Sequence, residues 1–179
     1  MEAIYAIDIN NGLSKDGIIP WNLKKDLRFF YNKTIRNIVI MGKNTYFSLP
    51  DNARPLKNRL NIVLTSNPSE YSHLLNCYSN VVFTNYDNIY TALISNRSLV
   101  FEAHPYLNFN FKIYFIGGKK IYEKFISVCE KVWVTRIKTD YNCDLNFDYD
   151  FSNEFKDPKI IEDDDNLQIC LYEKKDINN

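Results

Sequence analysis

The chain has 179 residues, 45% of them hydrophobic, which fits one domain with a sizeable core. Lys+Arg and Asp+Glu balance at 22 each, and a neutral chain without a basic stripe argues against a nucleic-acid binder, which must neutralise many phosphates. No apolar run nears the ~20 residues of a membrane span, and the start MEAIYAIDINNG lacks the basic and long apolar segments of a secretory signal.

In chain order, Ala3 to Ile9 is apolar with β-branched and aromatic residues and predicts a buried strand. Asn10 to Pro20 holds Gly12, Gly17 and Pro20 and predicts a loop, long enough to be functional. A helix follows, capped by Asn22, with Leu23, Asp26, Leu27 and Phe30 spaced i, i+3, i+4, i+7 on one face. Ile38 to Met41 is a strand closed by Gly42, and Lys43 to Leu49 a short helix. Leu60 to Leu64 is a strand ending in the turn Thr65-Ser66-Asn67-Pro68. Val81 to Thr84 predicts a strand and Asp87 to Ser95 a weak helix. Phe101 to Phe111 reads as a connection with no assigned role. Ile113 to Ile116 is a strand running into Gly117-Gly118, then a helix over Lys119 to Val128 with Ile121, Phe125 and Val128 on one face. Val132 to Ile137 and Leu167 to Glu173 are the last strands, with Glu162 to Asp165 a solvated turn before the second. The polar tail Lys174 to Asn179 is either a terminus or the start of a linker.

This alternation predicts a single-domain α/β fold over residues 1–179. Its central sheet is mostly parallel, with an antiparallel C-terminal strand pair and about four flanking helices. Cys77, Cys129, Cys143 and Cys170 form no CxxC, and neither His73 nor His104 stands at ligand spacing from one. No metal site is expected, and the thiols read as buried or half-buried in a reducing, cytoplasmic compartment.

Three features carry chemistry. Asp26 sits on the apolar face of its helix, where burial costs several kcal/mol unless something pairs with it. Desolvation raises a carboxyl pKa, which suits a group that binds a protonatable heterocycle or manages a proton near neutral pH. The plain alternative is a solvated Asp in the first turns, favoured by the helix dipole. Second, Met41-Gly42-Lys43-Asn44-Thr45 and Ile116-Gly117-Gly118-Lys119-Lys120 both read strand, glycine, helix start. Free N–H groups there attract anions, and strand ends of open α/β sheets hold ligands, so the pair points to one phosphate-bearing cofactor. Neither is a P-loop or a full dinucleotide fingerprint. Third, Arg59 before a strand is a potential bidentate carboxylate partner.

Together these stretches resemble dihydrofolate reductases across nearly the whole chain. The match rests on Leu13 to Trp21, Asp26-Leu27 with Phe30, Val39 to Pro50, Arg54 to Thr65, Ile116-Gly117-Gly118 with Ile121-Tyr122, Val134 to Ile137, and Cys143-Asp144 before Phe147. The resemblance implies reduction of dihydrofolate to tetrahydrofolate by NADPH, with the reductase fold, in support of one-carbon metabolism. By it, Asp26 would bind the pterin, Thr135 would support that contact and Trp21 would hold an ordered water. Ile4, Leu27, Phe30, Ser48, Leu49, Leu56, Ile116 and Tyr122 would line the substrate cleft, and Arg59 would clamp the glutamate carboxylate. Ala6, Ile116 and Tyr122 would surround the nicotinamide, and Leu13 and Ile19 would also contact the cofactor. Gly42, Lys43, Asn44, Thr45, Gly117, Gly118, Lys119, Lys120 and Ile121 would take the phosphates, with Leu64, Thr65 and Ser66 near the adenosine. The family's Gly-Gly bond is cis, and the same is expected at Gly117-Gly118. Antifolate-type molecules would bind the same cleft. The sequence leaves open whether the chain is monomeric and whether it is fused or coupled to thymidylate synthase.

The chain departs from the family pattern in places. Ser14 stands where glycine is usual, which would stiffen the loop if that position needs a positive φ. Tyr46 replaces a tryptophan, and Leu145 replaces the threonine after Asp144. With Ser66 and Asn85 where relatives carry arginine, Lys43 is the evident cation for a 2′-phosphate, so a weaker NADPH preference is expected. Two rivals remain open. A riboflavin-pathway reductase of the same fold would share the glycines but lack the Pro20-Trp21…Asp26 pattern and Arg59. A catalytically silent nucleotide-binding module would not need Asp26, Trp21, Thr135 and Arg59 together.

Overall fold

The computed structural model describes residues 1–176; Ile177 to Asn179, the end of the polar tail, lie outside the described residues. Strands β1 (Glu2–Ile7), β2 (Gly12–Ser14), β3 (Ile38–Gly42), β4 (Leu60–Leu64) and β5 (Val81–Thr84) come first, followed by β6 (Ile113–Phe115), β7 (Lys131–Ile137), β8 (Leu145–Asn146), β9 (Lys159–Asp163) and β10 (Leu167–Glu173). Eight of them form one sheet in the order β5-β4-β3-β6-β1-β7-β10-β9. From β5 to β7 every pairing is parallel, and β10 then runs antiparallel to both β7 and β9. The antiparallel pair expected of the last two strands is thus β7 with β10, Leu167 opposite Ile137 and Glu173 opposite Lys131.

Both faces of the sheet are buried, which is why its strands read as continuous apolar runs. Along β1, Ala3, Tyr5 and Ile7 join one cluster with Ile38, Ile40, Ile62 and Phe115. Ile4 points the other way and joins Val39, Met41, Val63 and Tyr114. This is the two-residue alternation of extended chain, with each face covered.

Helices α1 (Lys24–Thr34), α2 (Lys43–Ser48), α3 (Ser72–Leu75), α4 (Ile89–Ser95), α5 (Arg97–Ala103) and α6 (Lys119–Phe125), with two short 3-10 turns, exceed the four expected from the sequence. The additional α3 and α5 are short and carry weak periodicity. Phe101 to Phe111 is therefore not a plain connection: α5 runs into it, and Leu107 and Phe111 beyond are fully buried. Asn22 does not cap α1; the capping position is Leu23, with no side-chain cap bond. The helix expected to reach Val128 tightens at Ile126 into a 3-10 turn. Three residues per turn shifts the phase, so Ile126 is buried while Val128 is exposed.

Three further corrections concern loops and thiols. The expected loop over residues 10–20 contains β2, paired with β8, and a hairpin closed by a Lys15–Ile18 bridge. Its two-residue turn is Asp16-Gly17, at φ 49° and 76°, the Asp-Gly combination that primed hairpin turns favour. Glu162 and Asp163 belong to edge strand β9, and the turn starts only at Asp164. Strand β9 was hidden because all five of its residues are exposed. Cys129 and Cys170 are buried and Cys143 half-buried, but Cys77 is exposed; all four are free. Among the described residues no helix is long and apolar enough to cross a membrane, and no cluster of His, Cys, Asp and Glu could hold a metal.

Candidate active site

Because the strands from β5 to β7 run parallel, their carboxyl ends gather along one edge, where open α/β sheets bind ligands. There Ala6 on β1 lies opposite Thr135 on β7. Helix α1 brings Asp26 to Thr135 and Trp21. Burial drives the Asp26 carboxyl above the usual carboxylate range, while the Thr135 hydroxyl and the Trp21 indole draw it part of the way back. Thr135 and Trp21 are buried. The Trp21 ring packs edge-on to Tyr141 at 5.5 Å. Its Nε1–H favours the charged Asp26 by proximity, yet among the described residues it lacks hydrogen-bond geometry to any protein atom. A buried donor without a partner costs free energy, so this one is available to a polar group entering the site.

The apolar walls are graded. Ile4, Leu56 and Ile116 are buried, and half-buried Phe30 and Leu49 pack against their cluster. Leu27 is 55% exposed and Tyr31 49%, although both share an apolar helix face with Phe30. Helix α1 buries only Thr34 fully, and Leu27 and Tyr31 stand open to solvent on that face. The Ser48 hydroxyl donates to the carbonyl of Thr45 and caps its own helix.

Arg59 is only 6% exposed, and its guanidinium donates to the Thr34 hydroxyl at 3.0 Å and the Lys57 carbonyl at 3.1 Å. The ring of Tyr31 lies 5.5 Å away. Among the described residues no carboxylate pairs with it, and burial lowers its pKa. Asn61, a lone polar residue inside β4, builds this corner. Its amide donates to the carbonyls of Leu56, Arg59 and Asn80, and its oxygen accepts from the N–H of Leu56.

The two glycine junctions meet in space. The N–H of Gly42 donates to the carbonyl of Gly117 at 2.7 Å. The Gly117-Gly118 bond is cis, as expected, and Gly117 adopts φ 110°. A Cβ on Gly117 would stand 2.7 Å from the Tyr122 hydroxyl, and one on Gly118 3.2 Å from the Thr45 hydroxyl. Tyr122 is buried and donates to the carbonyl of Ile4 at 3.2 Å. Ile121 lies beside Gly42. Neither α2 nor α6 has a side-chain cap bond at its N-cap, so no cap side chain claims their first N–H groups. Lys43, Thr45, Thr65 and Lys119 are half-buried at this edge, Leu13 and Leu64 are buried, and Asn44, Ser66 and Lys120 are exposed. Ile19 is 62% exposed on the hairpin.

The dihydrofolate reductase family model matches residues 1–173. The chain belongs to the dihydrofolate reductase family. It is 30% identical to dihydrofolate reductase of Aedes albopictus, over 97% of this chain and 90% of that protein. It is 35% identical to the bifunctional dihydrofolate reductase-thymidylate synthase of Daucus carota, over 80% of this chain but 27% of that longer protein. Among solved structures, the Enterococcus faecalis dihydrofolate reductase complexed with NADP(H) and RAB-propyl superposes with TM-score 0.70 at 25% identity, over 98% of this chain and 96% of that one.

The departures from the dihydrofolate reductase pattern are absorbed locally. Ser14 lies in β2 and is not among the residues with positive φ, so the side chain imposes no strain there. Leu145 joins β8, and Asp144 finds its partner without a threonine, accepting the N–H of Asp16 at 2.8 Å. Tyr46 is buried and packs edge-on against Phe47 and Phe83. Thr34, Asn61, Asp8 and Glu2 are polar residues of this edge and its supports to which the family resemblance assigns no role. The last three had a signal, since each is a polar residue within or beside an apolar strand run.

Proposed function

We propose that the protein reduces 7,8-dihydrofolate to 5,6,7,8-tetrahydrofolate with NADPH as the reductant, supporting one-carbon metabolism and thymidylate synthesis. The observation that carries this reading is a half-buried carboxylate, Asp26, with its pKa raised between a buried threonine and a buried, partnerless indole N–H. Such a group binds the amidine-like edge of a pterin and favours proton uptake on the same ring. Arg59 adds a buried cation without a carboxylate partner among the described residues, suited to the substrate's glutamate. A pyrimidine reductase of the same fold would have no use for that cation.

The residues at the glycine junctions fit a dinucleotide. The uncapped starts of α2 and α6, brought together where Gly42 bonds Gly117, would offer backbone N–H groups to phosphates. Gly42, Lys43, Thr45 and Gly117 to Ile121 would hold the pyrophosphate, with Thr65 and Ser66 at the adenosine end and Ala6, Ile116 and Tyr122 at the nicotinamide. When bound, NADPH supplies the hydride. The chain's own work is orientation and charge. Ile4, Phe30, Leu49 and Leu56 fix the pterin against the cofactor edge. Asp26 stabilises the cation that develops at N5, and Thr135 holds Asp26 in place. The hairpin of residues 15–18, tied by Asp144, would cover the site and limit water.

The same cleft would accept antifolate-type molecules. We place the enzyme in the cytoplasm, where free thiols such as those of Cys129 and Cys170 persist. The test is direct. Purified protein mixed with dihydrofolate and NADPH should oxidise NADPH, followed by absorbance, and a diaminopyrimidine antifolate should stop it. No substrate-dependent oxidation would refute the reading.

A further inference from the structure

Asp8 is a second buried carboxylate at the edge of the site, and the reaction as described does not use it. It is 2% exposed. One oxygen accepts the N–H groups of Asn10 at 2.9 Å and Gly12 at 2.7 Å, at the root of the hairpin segment. The other accepts the N–H of Tyr141 at 3.1 Å, in the turn before β8. The Cys143 thiol also faces it. Burial alone would raise the Asp8 carboxyl, but these donors outweigh it and hold the group below the usual carboxylate range.

The packing around it is tight. A Cβ on Gly12 would lie 2.5 Å from Cys143 Cβ and 2.8 Å from Asp8 Cγ. No lysine or arginine pairs with Asp8 among the described residues. Its whole interaction is with backbone N–H groups of two segments distant in sequence and with one thiol. A buried charge of this kind is costly where an apolar side chain would fill the same space, so its effect is to fix geometry. What it fixes is the β2–β8 pairing, Gly12 opposite Asn146 and Ser14 opposite Leu145, from which the Lys15–Ile18 hairpin extends. Asp144 holds the hairpin's turn by the N–H of Asp16. Asp8 holds its root, two residues along the chain from Ala6.

We propose that Asp8 is a positioning residue that clamps the root of the covering hairpin to the 139–143 turn and thereby sets how much of the enzyme has the hairpin closed over the reacting ring. This deepens the reductase reading and rests on it for the kinetic consequence. Asp8→Ala removes every acceptor. Asp8→Asn keeps one acceptor oxygen but turns an amide NH2 toward one of the N–H groups, so it loses part of the clamp.

The experiment measures amide hydrogen exchange of residues 10–18 in the ligand-free protein, and single-turnover NADPH oxidation with saturating dihydrofolate. In Asp8→Ala, exchange of residues 10–18 should be about tenfold faster or more, with the 167–173 strand unchanged, as expected for loss of charge-assisted bonds. The single-turnover rate should fall by about tenfold while dihydrofolate binding, read by tryptophan fluorescence, stays within about twofold. Asp8→Asn should lie between, and it carries the test if the alanine variant does not fold. Unchanged exchange in residues 10–18, or equal acceleration across the whole sheet, overturns the clamp. A loosened hairpin with an unchanged single-turnover rate overturns its role in catalysis. A wild-type chain that leaves dihydrofolate and NADPH unreacted refutes the reductase reading instead, and the exchange result still decides whether Asp8 holds the hairpin.

Discussion

The guanidinium of Arg59 donates to the hydroxyl of Thr34 at 3.0 Å, so a cation from the loop before β4 is braced by the last residue of α1. Thr34 is itself fixed, donating to the carbonyl of Phe30 one turn back at 2.8 Å. The brace leaves the rest of the fork free for an incoming carboxylate. Arg59→Ala should raise KM for dihydrofolate by about a hundredfold, the scale of one or two charge-assisted hydrogen bonds, with a much smaller change in kcat. Arg59→Lys should recover little, because a point charge cannot reproduce the fork. Steady-state kinetics with substrate lacking the glutamate moiety checks the cause: wild type and variant should then behave alike.

Asp26 should trade stability for activity. Its folded-state pKa is raised chiefly by burial, so between the ordinary 3.8 and the raised value the folded protein binds more protons than the unfolded chain. Stability therefore falls as pH rises through that window, and the cost is fully present above the raised value. Asp26→Asn should raise Tm at pH 7 while cutting turnover by orders of magnitude. Activity of the variant should recover in part at low pH, where the substrate arrives protonated. Thermal melts beside pH–rate profiles read both effects; a variant as active as wild type at pH 7 contradicts the role given to Asp26.

Glu2 should behave in the opposite sense. It is buried, yet bonds to Lys112 Nζ at 2.7 Å and from Trp133 Nε1 at 2.6 Å overcome desolvation and lower its pKa. Its contribution is present above the ordinary 4.5 and is lost as pH falls through the lowered value. Glu2→Ala leaves the Trp133 N–H without its partner, at a cost of about 1–3 kcal/mol at pH 7. Glu2→Gln should cost less. Urea unfolding at a series of pH values should find the gap between wild type and Glu2→Gln shrinking in acid. The exposed Lys112 adds little by itself.

Gly117 admits no side chain. At φ 110° an L-residue is strained, and its Cβ would press on the hydroxyl and ring of Tyr122. Gly117→Ala should lower stability by about 2–4 kcal/mol and weaken NADPH binding beyond detection in fluorescence titration. Tyr122→Phe in the same chain should not restore it, because the ring carbon Cζ would still be 3.0 Å from the new methyl.

Much of this was legible in the sequence, because it rests on short-range rules. Continuous apolar runs marked the parallel strands, and Gly42 and Gly117-Gly118 marked the strand ends where the two junctions converge. Asp26 on an apolar helix face announced an unusual carboxylate. What escaped were elements with no period of their own. Strand β9 is exposed along its whole length, and β8 has two residues; each exists because a longer strand offers it hydrogen bonds.

The chain by itself determined the alternation of strands and helices and the residue types brought to one sheet edge, since hydrophobic period and glycine placement are local properties. Only the tertiary structure decided that Arg59 meets no acidic partner among the described residues, that Trp21 keeps a buried N–H unmatched among them, and that Asp8 ties residue 12 to residue 141. Burial and pairing depend on atoms contributed from distant parts of the chain, and no spacing along it encodes which donor an inward-facing carboxylate will meet.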